Sequence, residues 1–134
     1  ILKKSVKENK NFVSIKSFGQ KNFFSVLKIV DGILGNSSSG ILEMPSFKKG
    51  TINIGNRQKG RLQAKSIINC DERSINIERS IKQLYSKKFK EKIKKSKNFY
   101  FKKNTSKNIV NILGNFPLKN LIKKFYESSK IKRI

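Results

Sequence analysis

The chain contains no histidine, no tryptophan, one cysteine, one methionine, two prolines and only eight acidic residues among 134. Without histidine, and with Cys70 alone, neither a disulfide framework nor any of the usual zinc clusters can be assembled. No stretch approaches the ~20 consecutive apolar residues of a membrane-spanning helix, and nothing has the pattern of a signal peptide. No membrane partner, metal or cofactor is therefore expected, and the cytoplasm is the expected compartment. The chain opens Ile1-Leu2-Lys3 without a methionine, as expected of a piece of a longer protein or gene.

What is abundant is positive charge: 32 basic residues, a formal charge of +24 and an isoelectric point near 10.4. That balance points to a polyanion, whether RNA, DNA or an anionic membrane surface. Arginine is scarce, however, at five of the 32 (Arg57, Arg61, Arg73, Arg79, Arg133). Arginine reads phosphate and guanine in a bidentate way that lysine cannot. The joint enrichment in Lys, Asn, Ile and Phe is also what A/T-rich coding imposes on tolerant surface positions. The charge is uneven: residues 82–107 hold eleven lysines and one glutamate, whereas 31–47 hold no lysine. A solvated lysine-rich face explains such a run without any ligand.

Hydrophobic periodicity gives an alternating reading. "NFVSIK", 11–16, alternates apolar and polar as a strand does. Phe23, Val26, Leu27 and Val30 follow at helical spacing, with Gly32 as the expected C-cap. "ILGN" at 33–36, "TINIG" at 51–55 and "IINC" at 67–70 read as short buried strands. Between the first two of these, a short helix is expected to start at Ser38 to Gly40 and to end or bend at Pro45. "DERSINIERSIKQLYS" places Ile77, Ile81, Leu84 and Tyr85 on one stripe, with Asp71 or Ser74 as caps, and charged helices continue to about 97. "TSKNIVNILGN" is a last helix, stopped at Gly114. The expected fold is α/β, a Rossmann-like parallel sheet with helices on both faces. Residues 1–115 form the expected domain, and 116–134 a lysine-rich terminal helix or tail.

In such sheets ligands sit outside the carboxyl ends of strands, where the next helix begins. "ILGNSSSGILE", 33–43, is such a place. Small residues let a ligand approach the backbone, the first helical turn offers free N–H groups, and the hydroxyls of Ser37, Ser38 and Ser39 add donors around Gly40. A phosphate or diphosphate suits that turn. The plainer alternative is that the serines cap the helix and Glu43 favours its dipole. Glu43, one turn further in, would repel a diphosphate but suits a pair of vicinal hydroxyls such as a ribose carries. Turn and glutamate together describe half of a nucleoside-diphosphate site.

"GNSSSGILEMPSFKKGTINIGNRQKGRLQAKSIINC", Gly35 to Cys70, resembles the C-terminal part of UDP-N-acetylglucosamine 2-epimerases, particularly the hydrolysing type. Family members carry G-N-S-S-x-G-x-x-E and then a strand ending in G-x-R-Q-x-G-R. Both motifs occur here in order, with Glu43 and Arg57 fourteen residues apart, and the similarity extends from about 11 to 115. The resemblance implies the C-terminal half of a two-domain GT-B fold, incomplete at its N-terminal side, with the sugar nucleotide in the cleft. By matching positions, Ser37 and Ser38 would contact the diphosphate, Glu43 the ribose, Arg57 the substrate near the cleft, and Phe18 would border the uracil. The implied reaction eliminates UDP from UDP-N-acetylglucosamine to a glucal. Water then adds to give N-acetylmannosamine, a precursor of sialic-acid-type sugars. Implied partners are UDP or the UDP-sugar, the missing N-terminal domain and a second copy in a homodimer or tetramer.

The family's histidine and most of its acid and base carboxylates lie outside the region covered, so the chain alone is expected to be inactive. Asp71, Glu72 and Glu78 read as surface carboxylates. Two departures stand out: Asn56 replaces the usual aspartate before Arg-Gln, and "NFYFKKNTS", 98–106, replaces the glycine-rich N-P-Y-G-D-G-x-A-S. Phe101 and Lys102 should resist the close turn that glycine permits there. Two other readings stay open, a basic nucleic-acid-binding protein and a GT-B glycosyltransferase fragment.

Overall fold

The computed structural model describes residues 2–117. In chain order the elements are α1 (Leu2–Glu8), α2 (Gly19–Ile29), β1 (Gly32–Gly35), α3 (Ser39–Leu42), a 3-10 turn (Met44–Phe47), β2 (Gly50–Ile54), β3 (Ile67–Cys70), α4 (Ser74–Tyr85), α5 (Lys87–Lys94) and α6 (Thr105–Asn115). Two compact units are formed. The first runs to Phe101; the second begins at Lys102 and contains α6. The expected tail at 116–134 falls outside the described residues from 118 onward.

The sheet is parallel, in the order β1-β2-β3, with Gly32 opposite Gly50 and Ile52 opposite Ile68. β2 is central and buried along its first four residues. Because side chains alternate along a strand, its two faces meet different helices. Ile52 and Ile68 pack with Leu84 of α4 and with Phe89 and Ile93 of α5, and Ile54 and Cys70 join that cluster. On the other face the Thr51 hydroxyl donates to the Gly40 carbonyl of α3 at 2.7 Å. Glycine is needed at 40 for that approach, since a Cβ there would lie 2.5 Å from Thr51 Cγ2. Gly50 serves the opposite face, where a Cβ would run into Leu84. The result is the α/β, Rossmann-like arrangement expected from the alternation of short strands and helices.

Four expectations need correction. Residues 11–16 form no strand, and Phe12, Val13 and Ile15 are exposed. Alternation makes a strand only where a neighbour completes its ladder, and among the described residues none lies beside this segment. Helix α2 ends at Ile29 rather than at a Gly32 cap, because Val30 turns extended and Gly32 already starts β1. Gly114 does not stop α6, which runs through it to Asn115; its φ is not in the left-handed region where a glycine cap works. On α4 the inward face is Ile77, Ser80 and Leu84, while Ile81 and Tyr85 remain 39% and 52% exposed. Ser80 fits there because its hydroxyl donates to Asn76 O in its own helix. Tyr85 reaches instead to Asp31 Oδ2, at 3.3 Å.

Candidate functional site

The turn after β1 lies at the carboxyl end of the strand. Gly35 takes φ +146°, a conformation that side chains rarely adopt, and turns the chain into Asn36 and the three serines. Ser37 Oγ accepts from Ser39 N at 3.4 Å, and the carbonyls of Ser37 and Ser38 accept from Gly40, Ile41 and Leu42. The amides expected to be free in the first helical turn are thus mostly engaged within the turn itself. Helix α3 is four residues long, because Pro45 redirects the chain into the 3-10 turn. Its dipole is correspondingly small, so an anion here would depend on the serine hydroxyls and the remaining amides.

A side chain not singled out from sequence fixes this turn. Gln58 is 3% exposed, and its Nε2 donates to Asn36 O at 2.8 Å. The loop after β2 is thereby tied to the serine turn after β1. Gly55 starts that loop at φ +73°, its N–H donating to Cys70 O at 2.8 Å. Arg57, next to the buried Gln58, is exposed. The only sequence signal for Gln58 was its place in the R-Q-x-G-R motif, beside the arginine that drew notice.

The structure brings Phe18 and Ser39 together on one cavity of about 370 Å³, with Phe23 in its wall. Glu43 lines another, of about 470 Å³, whose wall includes Phe24 and Phe47. Phe23 and Phe24 are themselves in ring contact at 6.0 Å. Glu43 is half-buried at the junction between α3 and the 3-10 turn. Its Oε2 is enclosed and has no hydrogen-bond partner among the described residues. Ser37 is exposed, Ser38 half-buried, and Gly40 buried against Thr51. Arg57 lines neither cavity.

A further cavity, about 450 Å³, opens at the carboxyl ends of β2 and β3. Amide side chains line it in a directed chain: Asn53 Nδ2 donates to Asn69 Oδ1 at 2.8 Å, and Asn69 Nδ2 to Gln63 Oε1 at 2.7 Å. Asp71 at its rim does not cap α4 as expected, because the N-cap is Arg73, without a side-chain cap bond, and Ser74 already lies in the helix. Asp71 accepts instead from Arg73 N, Arg73 Nε and Asn76 Nδ2. Those side-chain bonds, Arg73 first and Asn76 next, hold its carboxyl at about 2 against the ordinary 3.8. Glu78 pairs with Lys82 at 2.7 Å on the surface of α4. Among the described residues no three His, Cys, Asp or Glu side chains converge as a metal site, and no helix is long and apolar enough to cross a membrane.

Comparison with known proteins gives the family. The family model for UDP-N-acetylglucosamine 2-epimerase matches residues 1–114. The chain is similar to polysialic acid biosynthesis protein P7 of Escherichia coli, 40% identical over 104 residues, covering 78% of this chain and 26% of that protein. It is 44% identical over 75 residues to the hydrolysing GDP/UDP-N,N'-diacetylbacillosamine 2-epimerase of Campylobacter jejuni, covering 56% of this chain and 19% of that one. A UDP-N-acetylglucosamine 2-epimerase of Neisseria meningitidis is 36% identical over 79 residues, 59% of this chain and 21% of its own length. The chain thus spans about a quarter or less of the length of these relatives. The glycine-bounded strands, the serine turn and the match over nearly the whole described length agree: the chain belongs to the UDP-N-acetylglucosamine 2-epimerase family.

Proposed function

We propose that this chain is the UDP-holding part of a hydrolysing 2-epimerase that acts on a UDP-linked N-acetyl amino sugar. The observation that carries the reading is the serine turn at the end of β1, braced by buried Gln58, with Glu43 unpartnered nearby. In this reading Ser37, Ser38 and Ser39 donate to the diphosphate beside Gly40. Glu43 accepts from the ribose hydroxyls, and Phe18 borders the uracil. Arg57, exposed and cationic, meets the substrate at the mouth of the site.

The division of labour follows from charge. Breaking the bond between the sugar and UDP leaves negative charge on the diphosphate, and preorganised donors at that position lower the barrier. This chain supplies the donors. It has no histidine to move a proton; its eight carboxylates include Asp71 and Glu78, both engaged in structural bonds. The proton transfers that form the glucal and then add water belong to groups outside this chain, in the N-terminal domain of a GT-B enzyme. The same reading makes the chain inactive alone and places the whole enzyme, as a dimer or tetramer, in amino-sugar metabolism. The activities for which the relatives are named, polysialic acid biosynthesis and diacetylbacillosamine epimerisation, support an N-acylated sugar.

The test is a titration of the isotopically labelled chain with UDP, followed by amide shifts. Saturable changes at Ser37 to Gly40 and at Glu43 are expected. Amides that stay unmoved at millimolar UDP, a weak-binding limit of about 4 kcal/mol, would sink the proposal.

A further inference from the structure

Asn98 lies 56 residues beyond the end of α3 and yet is bonded to it. Its Nδ2 donates to the Leu42 carbonyl at 2.8 Å and to Ser46 Oγ at 2.6 Å. Its Oδ1 accepts from Tyr100 N at 2.9 Å. The amide can sit only one way, because a carbonyl only accepts and a backbone N–H only donates. Leu42 immediately precedes Glu43, and Ser46 follows it within the 3-10 turn. One side chain therefore ties the 98–101 turn to the Leu42 backbone before Glu43 and to the Ser46 hydroxyl after it.

The clamp has a consequence for the cavity that Glu43 lines. Tyr100 and Phe101, 44% and 61% exposed, form part of its open wall together with the Phe24 and Phe47 rings, whose centroids lie 6.2 Å apart. Lys28 borders the same space but makes no ion pair with Glu43 among the described residues. A half-buried carboxylate with an idle oxygen beside an aromatic wall lacks donors. It suits a ligand that brings hydroxyl donors on one edge and apolar C–H or ring faces on the other. Phe101 stands where the resembling sequences have glycine, so the wall is fuller here than the motif alone would make it.

We propose that Asn98 is a positioning residue, holding Tyr100 and Phe101 as an aromatic wall beside the ribose of the ligand at Glu43. This rests on the UDP-holding reading above, and adds that selectivity for the nucleoside over bare diphosphate is set by the Asn98 clamp.

The experiment compares the wild-type chain with Asn98→Ala and Phe101→Gly, titrating each with UDP and with inorganic diphosphate. Asn98→Ala and Phe101→Gly should weaken UDP about tenfold, the scale of one or two lost hydrogen bonds or a lost aromatic face. Neither should change diphosphate affinity, which depends on the serine turn. A merely structural Asn98 would lower both affinities together, and that result overturns the proposal. So does unchanged UDP affinity in Asn98→Ala while the wild type binds UDP normally. Ring-to-side-chain nuclear Overhauser contacts between Phe101 and Glu43 give a ligand-free check: they should be present in the wild type and absent from Asn98→Ala. If the wild type binds diphosphate but not UDP, and those contacts are present, the wall is formed but borders no nucleoside, and the inference falls while the turn survives. Binding of neither ligand overturns the underlying reading as well.

Discussion

Single atoms decide how closely the site approaches the sheet. At Gly40 there is no room for a methyl group, since it would meet Thr51 Cγ2 at 2.5 Å and Ile33 Cγ2 at 3.1 Å. Gly40→Ala should therefore destabilise the chain by about 1–3 kcal/mol, the usual cost of overpacking a dense interior, as read from urea unfolding. Adding Thr51→Ser removes the obstructing methyl while keeping the hydroxyl that donates to the Gly40 carbonyl. The double variant should recover part of the loss, and strict additivity of the two single changes would contradict the proposed clash. Gln58 and Asn98 act at the same scale, each by one amide. Neither was legible as such from sequence, because their partners lie 22 and 56 positions away. Local pattern contains nothing about a contact of that separation. Glu43 could be singled out from sequence, because its turn differs in composition from everything around it, and its role as ribose acceptor belongs to the proposal.

At the scale of elements, the strands at 32–35, 50–54 and 67–70 were readable because each is a short apolar run, the first two opening on glycine and all three buried at least in part. The segment 11–16 has as good an alternation and forms nothing, since a strand is a property of a pair. The stripe on α4 was misjudged by a fraction of a turn, because Ser80 satisfies its own hydroxyl and can face inward. The start of α4 carries a pH dependence. Asp71 is held at about 2, well below its ordinary 3.8, through bonds from Arg73 and then Asn76. A depressed carboxyl stabilises the fold in its ionised form. Its contribution is therefore complete above about pH 4 and is lost as the pH falls towards 2. Thermal melts over that range should show a fall in stability that Asp71→Asn lacks. A variant that falls in parallel with the wild type would remove Asp71 from the account.

For the whole molecule, the balance of forces is unusual. A formal charge of +24 repels each copy from every other. Twenty-seven of the 32 cations are lysines, which act as point charges rather than as bidentate readers. Charge of this kind is screened beyond about 8 Å at physiological ionic strength. Among the described residues, β1 has a neighbouring strand on one side only, and its four residues carry no charge, with Leu34 52% exposed. Natural sheets usually blunt such an edge with a lysine, a proline or a bulge, and this one has none of these within β1. Repulsion between the lysines elsewhere would then do that work at a distance, and only while the solution is dilute in salt. Raising sodium chloride at fixed protein concentration should turn a monodisperse scattering signal into a growing one, and Leu34→Lys should delay the onset. A scattering signal indifferent to both would mean the edge is protected by something other than charge. An edge left unpaired among the described residues, on one four-residue strand, would thus make the colloidal life of this chain a matter of ionic strength.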